Sequence, residues 1–110
     1  MKINKKKYIY LISPNKIKKS FYKDLSDVLK SKKVYFFQLR LKKSSLKDKI
    51  IIGMKTKKIC KKYNVKFLIN DDALLAKKLG SDGCHLGQSD MNLTKAREIL
   101  KKKNNWYYMS

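Results

Sequence analysis

The chain is poor in acid, in arginine and in histidine. Only eight of its 110 residues are acidic against 29 that are basic, and the formal charge is +21. Two of the basic residues, Arg40 and Arg97, are arginine; the other 27 are lysines scattered through every segment. Nucleic-acid readers favour arginine, whose planar fork pairs bidentately with phosphate and guanine, whereas lysine is a flexible point charge. A dispersed lysine excess therefore argues against a dedicated nucleic-acid site, although its field attracts any polyanion, small diphosphates included. Cysteine is scarce too: Cys60 and Cys84 lack the paired spacing of a zinc or redox motif and read as ordinary buried thiols. No run approaches the ~20 apolar residues of a membrane span. The apolar stretch from Tyr8 to Ile12 is too short for a signal-peptide core, so the expectation is a cytoplasmic protein with no membrane partner.

What is present suits one compact domain over residues 1–110, with a modest core. Short apolar runs alternate with amphipathic segments. Tyr8 to Ser13 reads as a strand, and Phe21, Leu25, Val28 and Leu29 form a helix stripe that Ser20 can cap. Val34 to Leu41 is a second strand, and Ile52, Thr56, Ile59, Cys60 and Tyr63 share one face of a second helix. "VKFLIN" is a third strand, followed by a helix from about Ala73 to Leu79 that stops at Gly80. "CHLG" is a fourth strand, Leu93, Ala96 and Leu100 mark another helix, and "WYYMS" is a fifth strand. Alternation of nearly unbroken apolar strands with helices predicts right-handed βαβ units and a parallel sheet.

Four of the eight acids fall between Asn70 and Asp90, together with the single histidine, His85. In "VYFFQLRLK" the period of two puts Gln38, Arg40 and Lys42 on one face and Phe37, Leu39 and Leu41 on the other. The polar set either meets something anionic at the mouth of the sheet or is a polar edge where the strand frays after Phe37. Asn70 closes the third strand and Asp71 begins the next turn, where α/β proteins place ligand-binding groups. Asp71 and Asp72 also suit a helix cap. Asp90 again follows a strand, and with Asp71 could hold Mg²⁺, which takes one or two carboxylates plus substrate phosphates. His85 fits a hydrogen-bonded core residue better than a catalytic base. Gly83 and Gly87 allow close approach of backbone or ligand.

Taken together, "YLIS", "QLRLK", "FLIND", "DGCHLGQSDM", an "AREIL" helix and a last strand ending in Ser110 occur in the order and spacing of the thiamine-phosphate synthase family, which the chain resembles over nearly its whole length. The resemblance implies a (β/α)8 TIM barrel that joins hydroxymethylpyrimidine diphosphate to thiazole phosphate and releases diphosphate, with Mg²⁺ as helper. It implies that Gln38, Arg40 and Lys42 hold the pyrimidine diphosphate with Asn70 nearby, that Asp71 and Asp90 bind Mg²⁺, and that Ser110 touches the diphosphate or pyrimidine side.

The chain departs from the family pattern at Asp72, an added negative charge after the Asn-Asp pair, and at Tyr107 and Tyr108, which replace smaller residues. A complete barrel takes ~200 to 250 residues. The expectation is therefore a partial barrel of about five parallel strands and four helices, retaining the pyrimidine-diphosphate and metal grip. Its open sheet edges invite a completing polypeptide or a second copy. The alternatives are a thiazole tautomerase-like protein, which has no need of a diphosphate grip, and an inactive remnant acting as a basic binding module.

Overall fold

The computed structural model describes residues 9–85 and the backbone of 107–109. Its elements follow in the order β1 (Ile9–Ile12), α1 (Phe21–Leu29), β2 (Val34–Leu39), α2 (Leu46–Lys62), β3 (Lys66–Asn70), α3 (Ala73–Leu79), β4 (Gly83–His85) and β5 (Tyr107–Met109). The strands form one sheet in chain order, and every neighbouring pair is parallel. Sequential order with helices between the first four strands is the arc of a β/α barrel, in agreement with the expected fold. The anticipated helix through Leu93, Ala96 and Leu100 lies outside the described residues, as do Gly87, Asp90 and Ser110.

Alternation along the strands separates two faces. Phe37 and Leu39 of β2, with Leu41 just beyond it, join the helix-side core together with Leu29 of α1, Cys60 of α2, Phe67 and Ile69 of β3, and Leu79 of α3. Gln38, Leu68 and Asn70 therefore occupy the opposite face, where Leu68 is fully buried. The second strand persists through Leu39 and does not fray after Phe37. α2 and α3 approach closely because Gly53 has no side chain: a Cβ there would lie 2.5 Å from Leu79 Cδ1.

Helix ends follow local chemistry, with one exception. Ser45 Oγ accepts from Asp48 N at 3.2 Å to open α2, whose last turn carries Lys61 and Lys62 against the exposed carbonyls. Asp72 Oδ1 accepts from Leu75 N at 2.9 Å to open α3, so the cap is Asp72 and not Asp71. Gly80 closes that helix at φ 65°, a left-handed conformation that costs glycine little. Ser20 precedes α1 as anticipated but makes no side-chain cap bond. Its own dihedrals are helical, which turns the hydroxyl away from the N–H groups that a capping residue in extended conformation would meet.

Both cysteines are free and buried. Burial pushes the Cys60 thiol up to about 12, with the Asp82 charge adding to it, and that of Cys84 up to about 11. Burial thus favours the thiol form of both, in keeping with ordinary buried thiols. Among the described residues no helix is long and apolar enough to cross a membrane.

Asp82 ties the α3–β4 connection to β3 by a reciprocal pair of bonds. Its N donates to Phe67 O at 2.8 Å, and its Oδ2 accepts from Phe67 N at 2.8 Å. Phe67 is 1% exposed, so removing the carboxylate strands a buried N–H. Asp82→Ala should lower unfolding stability by about 1–3 kcal/mol in urea titrations, while the exposed Asp24→Ala should change it by less than about 0.5 kcal/mol. Equal effects would contradict a structural role for Asp82.

Candidate active site

Four successive strands each contribute one polar side chain to the face away from the helices: Tyr10 of β1, Gln38 of β2, Asn70 of β3 and His85 of β4. They are hydrogen-bonded in a row. Gln38 Nε2 donates to the Tyr10 hydroxyl at 2.8 Å, Asn70 Nδ2 donates to Gln38 Oε1 at 2.6 Å, and the same Asn70 nitrogen lies 3.5 Å from His85 Nδ1. Gln38 is only 2% exposed, and both ends of its amide are used, as a buried amide requires. Burial pushes the Tyr10 phenol above its usual value, against the opposing effect of the Gln38 bond. The phenol oxygen accepts from Gln38, so its proton is available to a further acceptor.

Charge gathers where these strands end. Ser13, just past β1, donates its N–H to Gln38 O at 2.9 Å and accepts from Arg40 N on its hydroxyl at 2.9 Å. That pair fixes the exit of β2. The Arg40 guanidinium beyond it is exposed and, among the described residues, has no hydrogen-bond or ion-pair partner. Lys42 follows the buried Leu41 and reaches across to β3, where its Nζ donates to Asp71 Oδ2 at 2.8 Å. Asp71 is held in the left-handed region at φ 58°, and its N–H donates to His85 O at 2.6 Å. Such strain in a non-glycine residue persists where surroundings over-determine it, commonly at functional sites.

The structure thus joins Gln38 to Asn70 and Lys42 to Asp71, and the exposed Arg40 side chain has no partner among the described residues. His85 is a partly buried, hydrogen-bonded residue, as its place inside a strand suggested. Tyr10 and Ser13 belong to the site although neither was singled out from sequence. The signal for Tyr10 lay in "IYLIS", where the period of two that places Leu11 on the helix side puts Tyr10 on the other; Ser13 has the parity of Leu11, and only the pairing of β1 with β2 reveals it.

Asp71 offers one oxygen donor of the kind a hard divalent cation takes together with phosphate oxygens, on a side chain 19% exposed at the carboxyl end of β3 and bonded to the Lys42 ammonium; among the described residues no group of three or more metal-ligating side chains comes together. Among the described residues, a cavity of about 20 Å³ is lined by Leu39, Leu41, Ile69, Asn70, Asp72 and Leu75, and spaces of about 320 and 470 Å³ open at the amino ends of the strands among Lys57, Lys61 and Lys66 and beside Lys32 and Lys62.

A parallel sheet wound in chain order, with its polar and charged groups gathered where the strands end, is the arrangement of β/α-barrel enzymes. The chain belongs to the thiamine monophosphate synthase family, whose model matches residues 9–105. It is 68% identical over 106 residues to the thiamine-phosphate synthase of Pelagibacter ubique, covering 94% of this chain and 51% of that protein. Identity to the thiamine-phosphate synthase of Fusobacterium nucleatum is 46%, over 86% of this chain and 47% of the relative. A solved thiamine phosphate pyrophosphorylase from Pyrococcus furiosus superposes with a TM-score of 0.78 at 23% identity, covering 92% of this chain and 48% of that one, which supports the fold. The chain spans about half the length of the curated relatives it matches.

The row of side chains predicts a graded response. Gln38→Leu leaves both the Tyr10 hydroxyl and the Asn70 amide, each partly buried, without their partner and should cost about 1–3 kcal/mol of unfolding stability in all. Tyr10→Phe removes a partner from Gln38 alone and should cost less. Denaturant midpoints for the two variants check the order, and a costlier Tyr10→Phe would contradict it.

Proposed function

We propose that these residues bind the pyrimidine diphosphate in a thiamine-phosphate synthase reaction of the cytoplasm, in which diphosphate leaves hydroxymethylpyrimidine and the thiazole phosphate nitrogen captures the resulting cation. The observation that carries this reading is the adjacency of a hydrogen-bonding amide pair, Gln38 and Asn70, to a cationic pair, Arg40 and Lys42, at the ends of β2 and β3. A pyrimidine diphosphate needs both: directional polar groups for the ring and positive charge for the diphosphate.

In this reading the Asn70–Gln38–Tyr10 row orients the ring, since amides already locked by neighbours lose little freedom on binding. Arg40 takes the diphosphate in a forked grip and Lys42 takes it as a point charge. Negative charge builds on the diphosphate as its bond to the pyrimidine breaks, so these cations stabilise the transition state more than the bound substrate. Mg²⁺, held by Asp71 with Asp90, would supply further neutralisation of the diphosphate oxygens. Ser110 is assigned to the diphosphate or pyrimidine side on family resemblance. The same grip disfavours a thiazole tautomerase, whose substrate carries no diphosphate.

Calorimetric titration of the chain with hydroxymethylpyrimidine diphosphate, with and without Mg²⁺, tests the proposal. Binding should be metal-dependent, and Arg40→Lys should weaken it about tenfold, the equivalent of one charge-assisted bond of roughly 1.4 kcal/mol. Lys58→Ala, on the exposed side of α2, should change it less than about twofold. Similar losses in both variants would mean that only the general basic field attracts the ligand. Equal affinity with and without Mg²⁺ would remove the metal from the account.

A further inference from the structure

Three ion pairs are present among the described residues, and two of them, Lys23–Asp27 and Lys30–Asp27, are local pairs on the exposed face of α1. The third differs in kind. Lys42 and Asp71 are 29 residues apart, their bond at 2.8 Å spans the ends of two neighbouring strands, and the carboxylate is largely covered. We propose that Lys42 is an exchangeable counterion for Asp71: it occupies the carboxylate until a diphosphate draws the ammonium away, so that diphosphate and divalent metal bind with positive coupling. This rests on the reading of the site given above.

The two partners are unequally free to move. Asp71 is anchored by the bond from its N–H to His85 O and by its left-handed backbone, and the next residue begins α3 through the Asp72 cap. Lys42 follows the strand end on a flexible four-carbon stem, with its side chain 42% exposed. An exchange therefore moves the lysine and leaves the aspartate in place. A metal arriving alone must displace an ammonium already at hydrogen-bond distance, in a chain whose net charge of +21 also repels it. A diphosphate offers the ammonium a more highly charged partner, and the carboxylate oxygen that Lys42 leaves would then be open to a metal that also takes phosphate oxygens. Linkage is reciprocal, so the metal must favour diphosphate by the same factor.

Mn²⁺, whose unbound form is counted directly by electron paramagnetic resonance, is the probe, with inorganic pyrophosphate as the diphosphate. Without pyrophosphate, Lys42→Met should bind Mn²⁺ about tenfold more tightly than the unaltered chain, within the range of ordinary coupling factors. Lys43→Met removes the same formal charge one residue along and should change Mn²⁺ affinity less than about twofold. Lys42→Arg, which keeps a cation on Asp71, should show no gain. The enhancement of pyrophosphate affinity by Mn²⁺, corrected for the complex the two form in solution, should fall in Lys42→Met, and circular dichroism should show all variants folded. If Asp71→Asn abolishes Mn²⁺ binding while Lys42→Met leaves it unchanged or weaker, the exchange is wrong and the metal assignment stands. Should Asp71→Asn have no effect on Mn²⁺ in either background, both fail.

Discussion

The side-chain amide of Gln38 lies almost wholly out of solvent on the face of the sheet opposite the helices. A buried amide is stabilising only when its donor and acceptor are both paired, and each missing bond leaves the full desolvation penalty. Gln38 meets that requirement by donating to Tyr10 of the strand before and accepting from Asn70 of the strand after. Because Asn70 also approaches His85, one row of side chains fixes the relative setting of four strands where they end. Register, polarity and orientation are thereby set together, and the charged residues that follow Gln38 and Asn70 in the chain inherit that geometry.

Against this frame, the concentration of acids in a strongly basic chain has separate physical causes. Asp72 opens α3, and Asp82 supplies an acceptor and a donor to the buried start of β3. Only Asp71, of the acids described in this stretch, combines a strained backbone with a bond to a cation from another strand. Of the three acids described in the cluster, two are thus structural, and the third, Asp71, pairs with a cation from another strand. Lysines are everywhere on the chain, but among the described residues a lysine bonded to a carboxylate on another strand occurs only at the ends of β2 and β3, where Arg40 also stands exposed.

The architecture was legible because it depends on local pattern. Nearly continuous apolar strands, helix stripes and the glycine after Leu79 locate the elements, and the period of two in "VYFFQLRLK" correctly puts Phe37 and Leu39 opposite Gln38. Local chemistry misled at Ser20, where the residue type suits a cap but the backbone is already helical. The site was legible only in part. Gln38, Asn70, Lys42 and Asp71 stand out individually, yet the bond between Lys42 and Asp71 joins residues 29 apart, and only the pairing of β2 with β3 reveals it. Tyr10 escaped notice because a tyrosine in an apolar strand resembles core until its neighbour across the sheet is known.

On the proposed reading, ligand binds at the carboxyl ends of the strands and not in the lysine-lined hollows at their amino ends. Nuclear magnetic resonance shift mapping of the isotope-labelled chain during titration with hydroxymethylpyrimidine diphosphate and Mg²⁺ tests it most directly. The side-chain amides of Gln38 and Asn70 and the backbone amides of Arg40, Asp71 and His85 should shift together, while the backbone amides of Lys57, Lys61, Asn64 and Gly80 should stay in place. Shifts confined to Lys57, Lys61, Asn64 and Gly80, with the Gln38 and Asn70 amides unmoved, would contradict it.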